Sequence, residues 1–208
     1  MTEQHEVELA VTFGVAALGF VSSMPSGPAI IDDELARELV ARVPPGVATF
    51  LLTSRTTAAG IIEQQRMVRS NTLQIVDRVS AEVYRDLRLA LPGIALVQVL
   101  HVIDNDVVDE ALRIEADVDA ILLDSGRKRA GVMQFGGTGT THDWTISRRL
   151  VRAVSRPVFL AGGLNAENIR RAIIEVEPFG VDVCSGVRTA GRLDEEKLAS
   201  LCRSVRDV

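Results

Sequence analysis

What most constrains this chain is its rhythm. Short runs rich in Val, Ile and Leu recur along its length, separated by helix-type patterns. The strand-like runs are VAALGFV (15–21), VATFLLT (47–53), TLQIVD (72–77), IALVQVLHV (94–102), DAILLDS (119–125), PVFLAG (157–162) and VDVCSGV (181–187). Their weak polar alternation belongs to strands covered on both faces. Between them lie helical stretches such as DDELARELVARV (32–43), SAEVYRDLRLAL (80–91), DNDVVDEALRIEA (104–116) and NAENIRRAIIEVE (165–177). Several open on Asp, Ser or Asn, whose side chains cap free helix amides, and several close near Gly or Pro. Successive βα units with short connections imply parallel strands and right-handed crossovers. The doubly wound sheet and the (β/α)8 barrel both satisfy that pattern.

The count separates them. Seven strands accompany eight helices, because the segment near 3–13 reads as a helix with no strand before it. Seven and a half units fit an α/β (β/α)8 TIM barrel, with the first strand missing from the N-terminus, better than an open sheet. No linker, composition shift or low-complexity tract divides the chain, so residues 1–208 are expected to form a single (β/α) barrel domain.

Composition narrows the setting. With 47% hydrophobic residues the chain can bury a large core without disulfides or metals. Cys184 and Cys202 show neither a disulfide framework nor a metal-ligand spacing, and read as small core residues in a reducing compartment. No apolar run reaches the roughly 20 residues of a membrane span, and no basic leader opens the chain. The expected location is cytoplasmic, without membrane association. A net charge of −5 argues against nucleic acid as the main partner, without bearing on a local basic pocket.

In a barrel, function collects where strands end at their C-terminal side. One such place is FGGTGTTHDW, in the longest connection, where Gly137, Thr138 and Gly139 precede Asp143, a helix cap. Closely spaced glycines let backbone amides converge on an anion. A second is LAGGLNAENI, with Gly162 and Gly163 before a helix starting near Asn165; a third is VCSGVRTAG, with Ser185 and Gly186. Loops after the last two strands are the usual phosphate site of such barrels, so three glycine-bearing turns together point to a phosphorylated ligand. A nucleotide reading is weak, because neither a Walker-type Gly-Lys-Ser/Thr nor a G-x-G-x-x-G after a strand is present. Asp124 ends the run AILLDS and is expected to face the barrel mouth. Partial burial there raises a carboxyl pKa and makes a general acid; the alternative is a cap for the following loop.

GGTGTTHDW, PVFLAGGLNAENI and GVDVCSGVRTAGRLDEEKL, in this order and spacing, resemble the phosphoribosylanthranilate isomerase family. DAILLDS, LGFV and the helix at 32–43 fit as well, so the similarity spans the chain and is most specific from Asp119 onward. The resemblance implies a TIM barrel that converts a phosphoribosyl-aminobenzoate into an open-chain deoxyribulose phosphate by an Amadori rearrangement. This is a step of tryptophan biosynthesis that needs no cofactor and no metal. It also implies that Asp124 is the general acid and that the three glycine loops grip the phosphate of the phosphosugar substrate. A homodimer is compatible with it.

There are departures from the family pattern. The family's general base is a cysteine ending the first strand; aligned backwards from Leu18-Gly19-Phe20, it falls before Met1. Ala29 stands where an Arg holds the anthranilate carboxylate, Val76 where a His is common, and Arg188 where an acid is usual. The phosphate half of the site is kept and the aminobenzoate half is not. Three readings stay open. One is the isomerase or a close derivative whose start lies upstream, inactive as written without the base. The second is a paralogue acting on another phosphosugar, and the third is a non-catalytic phospho-ligand binder. Cys184 is a minor candidate for a substitute base.

Overall fold

The computed structural model describes residues 1–22, 24, 29–125, 127–129, 132–134 and 143–208, with backbone alone at 127–129 and 132–134. They gather into two compact units. The first is built from residues before Leu100 with Asp117–Asp119, the second from Leu100–Ala116 with Ala120–Val208.

The first unit alternates helix and strand from its first element: α1 (Gln4–Thr12), β1 (Ala17–Val21), α2 (Asp33–Val40), β2 (Ala48–Thr53), α3 (Ala58–Val68), β3 (Thr72–Ile75), α4 (Ala81–Ala90) and the start of β4 (Ala95–His101). Its strands pair in parallel in chain order, with Phe20 opposite Leu51, Leu51 opposite Leu73 and Leu73 opposite Leu96. That row of fully buried large side chains forms a core layer, because in-register residues of parallel strands point to one face. Side chains cap the helix starts: Asp32, as the sequence signals, accepts from the Leu35 amide at 2.7 Å, and Thr57 accepts from the Gly60 amide at 3.3 Å. A polar cluster closes the ends of β1 and β2. Gln64 donates to Ser22 and Asp33, at 2.5 and 2.8 Å, and Arg55 pairs with Asp33 at 3.3 Å.

The second unit continues with α5 (Asp106–Ile114), β5 (Ala120–Asp124), α6 (Trp144–Ala153), β8 (Val158–Leu160), α7 (Ile169–Val176), β9 (Gly180–Val181) and α8 (Glu195–Arg206). Two short antiparallel hairpins are added, β6 (Arg127–Arg129) with β7 (Val132–Gln134), and β10 (Arg188–Thr189) with β11 (Arg192–Leu193). The parallel strands run in the order β5, β8, β9, with Leu123 opposite Leu160 and Leu160 opposite Val181. Ile121, Leu123, Val158 and Leu160, on one face of these strands, are at most 2% exposed. The Val102 amide donates to the Asp124 carbonyl at 3.0 Å, which fixes the end of β5.

Two expectations need correction. The strand expected over 181–187 is only Gly180–Val181, followed by a 3₁₀ turn at Ser185–Val187. In this turn Gly186 packs so closely against the Leu164 carbonyl that a β-carbon would overlap it. The helix expected from Asn165 begins at Ile169, because the Asn165 carboxamide accepts from the Glu167 and Asn168 amides and holds a turn first. Neither hairpin carries the alternation that marks a strand in sequence.

Among the described residues no helix is long and apolar enough to cross a membrane.

Candidate active site

The site is built in the second unit, at the C-terminal ends of β5, β8 and β9. The Ala161 amide donates to the Leu123 carbonyl at 2.7 Å, and the Asp182 amide to the Leu160 carbonyl at 2.9 Å. These bonds carry the strand register one step past the strand ends, so Asp124, Ala161 and Asp182 form one row. Residues of such a row share a face, here the face opposite that of Leu123, Leu160 and Val181.

Asp124 is half-buried. Loss of water around its carboxyl pushes the pKa up to about 6, and the neighbouring negative charge of Asp182 pushes the same way. The Ser125 amide, donating to Oδ1 at 2.7 Å, pulls against this without cancelling it. Crowding by protein also raises the Asp182 carboxyl; its side chain is nevertheless open to water, which tempers that rise. A carboxyl near 6 is divided between its acid and base forms at cellular pH, the condition for proton transfer in either direction.

Two glycine loops adjoin this row. Gly162 and Gly163 follow Ala161 directly, both with left-handed backbone, φ 88° and 67°. The Asn168 carboxamide grips this loop, donating to the Gly163 carbonyl at 3.0 Å and accepting from the Asn165 amide at 2.9 Å. No protein acceptor engages the Gly162 or Gly163 amide among the described residues. The Ser185–Val187 turn packs onto the same loop, Gly186 lying against Leu164. Adjacent left-handed glycines have the chemistry of an anion cradle.

The sequence-derived residues therefore divide. Asp124, Gly162, Gly163, Ser185 and Gly186 come together. Gly137, Thr138 and Gly139 lie outside the described residues; the helix after them begins as expected, Asp143 accepting from the Thr145 amide at 2.9 Å. Among the described residues no three His, Cys, Asp or Glu side chains are grouped to hold a metal ion.

Residues 1–204 match the family described as N-(5'-phosphoribosyl)anthranilate (PRA) isomerase. The chain belongs to the phosphoribosylanthranilate isomerase family. The N-(5'-phosphoribosyl)anthranilate isomerase of Methanocella arvoryzae is 32% identical over 197 residues, covering 95% of this chain and 90% of that protein. The crystal structure of phosphoribosyl anthranilate isomerase from Thermotoga maritima superposes with a TM-score of 0.85 at 27% identity, covering 100% of this chain and 96% of that one. A structure of phosphoribosyl anthranilate isomerase in complex with reduced 1-(o-carboxyphenylamino)-1-deoxyribulose 5-phosphate superposes at 0.82 with 25% identity, over the same shares of the two chains. The fold is that of the phosphoribosylanthranilate isomerase TIM barrels.

The positions that depart from the phosphoribosylanthranilate isomerase pattern differ in their surroundings. Ala29 sits in left-handed backbone at φ 60°. The Val76 amide donates to the Thr53 carbonyl at 3.0 Å and extends the β2–β3 ladder. Arg188 donates to the Gly191 carbonyl at 2.7 Å and closes the β10–β11 hairpin. Burial raises the Cys184 thiol pKa, with Arg188 opposing, so the thiol stays protonated near neutral pH. Sequence reasoning missed Ser125, Asn168 and Asp182. Asp182 carries the signal that singles out Asp124, an acid at the end of an apolar run, but it falls inside the strand expected over 181–187.

Proposed function

We propose that this chain isomerises N-(5'-phosphoribosyl)anthranilate in tryptophan biosynthesis, as a single (β/α) barrel domain working in the cytoplasm. Asp124 carries the reading: a carboxyl with pKa about 6 at the end of β5, beside a loop of two left-handed glycines. Its protonated form delivers a proton to the furanose ring oxygen, opening the ring to a Schiff base. The Gly162–Gly163 and Ser185–Gly186 loops hold the phosphate through backbone amides. Gly137, Thr138 and Gly139 are assigned to the same grip from their sequence. Holding the phosphate fixes the sugar relative to Asp124 and removes much of the entropic cost of alignment.

The test is conversion of the purified chain's substrate, followed by chromatography of the open-chain product. Asp124→Asn is expected to lower turnover by about 10²–10⁴-fold. Unchanged turnover in that variant would remove Asp124 from the mechanism.

A second reading has one observation in its favour. Ala29 offers no charge to an anthranilate carboxylate, which suits a phosphosugar with a different aglycone. Competition of N-arylaminoribose phosphates with and without the carboxylate distinguishes the two: equal affinity supports the second reading.

A further inference from the structure

We propose that Ser125 is a positioning residue for the Asp124 acid. Its amide keeps Oδ1 as an acceptor, so that Oδ2 carries and delivers the proton, and its hydroxyl, wedged against Gly162, holds the carboxyl in that orientation. This rests on the isomerase reading above and concerns only the proton given to the ring oxygen.

The carboxyl is fixed by its own chain. The Ser125 amide donates to Asp124 Oδ1 at 2.7 Å. A backbone N–H can only donate, so Oδ1 remains an acceptor in both protonation states and the proton resides on Oδ2. Because the donor belongs to the next residue along, the bond ties the carboxyl plane to the end of β5. The Ser125 hydroxyl hydrogen-bonds to the same carboxyl.

Ser125 is itself held. It is 4% exposed, and a β-carbon on Gly162 would stand 2.8 Å from the Ser125 β-carbon. The serine fills the space that a side chain at 162 would need. One residue earlier, the Ala161 amide bond to the Leu123 carbonyl fixes β8 beside β5. The hydroxyl is thus packed between the end of β5 and the loop after β8.

In its row Asp124 has His101 of β4 on one side, opposite it because the Val102 amide donates to the Asp124 carbonyl at 3.0 Å. On the other side come Ala161 of β8, which offers only a methyl group, and then Asp182 of β9. Burial and the charge of Asp182 favour the protonated acid, whereas both Ser125 donors favour the carboxylate. Ser125 therefore keeps the acid able to release the proton that burial makes it hold. In the step it serves, Oδ2–H gives its proton to the ring oxygen and the C1–O electron pair stays on that oxygen. The nitrogen lone pair then forms the C=N bond of the Schiff base.

The experiment compares the full chain with Ser125→Ala and Ser125→Thr. It measures the pH profile of kcat/KM, the NMR titration of the Asp124 carboxyl carbon and of the Ser125 amide, and calorimetric affinity for reduced 1-(o-carboxyphenylamino)-1-deoxyribulose 5-phosphate. Ser125→Ala removes the hydroxyl and keeps the amide. Losing that donor raises the Asp124 pKa, so the fall of kcat/KM and the carboxyl titration should both move to higher pH. The kcat/KM plateau below that fall should drop about tenfold as alignment is lost, with analogue affinity within about threefold. Ser125→Thr, which restores the hydroxyl, should return both midpoints toward wild type. In the wild type the Ser125 amide proton should titrate with the Asp124 carboxyl, at about pH 6, a readout that needs no variant to fold. An unmoved midpoint in Ser125→Ala, or a wild-type amide that does not follow the carboxyl, overturns the proposal. A wild-type chain that binds the analogue without turnover overturns the isomerase reading, and the two titrations then test the hold of Ser125 on the carboxyl by themselves.

Discussion

Gly162 lies directly against Ser125: a β-carbon on Gly162 would stand 2.6 Å from the Ser125 amide nitrogen and 2.7 Å from its hydroxyl oxygen. That amide is the one donating to Asp124, so the Gly162–Gly163 loop and the Asp124 carboxyl are held by one contact. Gly162→Ala must both clash with backbone and hold φ 88° with a side chain. It is expected to destabilise the protein by about 2 kcal/mol or more. Thermal unfolding with and without the substrate analogue checks this; an unchanged melting temperature would contradict the packing described.

Gly186 is more constrained still. A β-carbon there would overlap the Leu164 carbonyl oxygen outright. Because the obstruction is backbone, relief requires the two loops to separate. Gly186→Ala is therefore expected to weaken phosphate binding as well as stability. Inorganic phosphate should raise the melting temperature of the wild type and leave that of the variant unmoved.

Asp124 sets a pH signature whose sign follows from its raised pKa. The unfolded carboxyl titrates near 3.8 and the folded one at about 6. Between those values the folded chain keeps a proton that the unfolded chain releases, so stability falls as pH rises through this window and remains lowered above it. The gap corresponds to at most about 3 kcal/mol. Asp124→Asn should melt higher than wild type at about pH 8 and the same at about pH 3. For the wild type, kcat/KM should fall about tenfold per pH unit above about pH 6, as the acid form is lost.

Asn168 makes a prediction about binding rather than chemistry. Its carboxamide holds the Gly163 carbonyl and the Asn165 amide. Asn168→Ala leaves both without these partners, at a cost of about 1–2 kcal/mol. The glycine amides then lose their fixed orientation, so KM should rise by a larger factor than kcat falls. Steady-state kinetics separates the two.

Much of this was legible along the chain. The apolar runs around Leu51, Leu73, Leu96 and Leu123 predicted parallel strands, because strands covered on both faces need unbroken hydrophobic sequence. Asp124, Gly162 and Gly186 stood out as candidates for the same reason: polar or glycine residues where such runs stop. The 3₁₀ turn at Ser185–Val187 was not, since VDVCSGV reads equally well as a strand until Leu164 is known to sit beside Gly186. Asn168 was hidden too, because its partners are two backbone groups that no side-chain pattern advertises.

The sequence by itself determined the fold family, the order of the units and where Asp124 and the Gly162 and Gly186 turns fall at strand ends, since each depends on residues local in the chain. Only the tertiary structure decided that Asp182 shares a face with Asp124 and that Gly162 and Gly186 touch Ser125 and Leu164. Those relations are set by strand register and loop packing across some 20 to 60 residues of chain. Hydrogen bonds between strands fix them, and local propensity carries no record of that pairing.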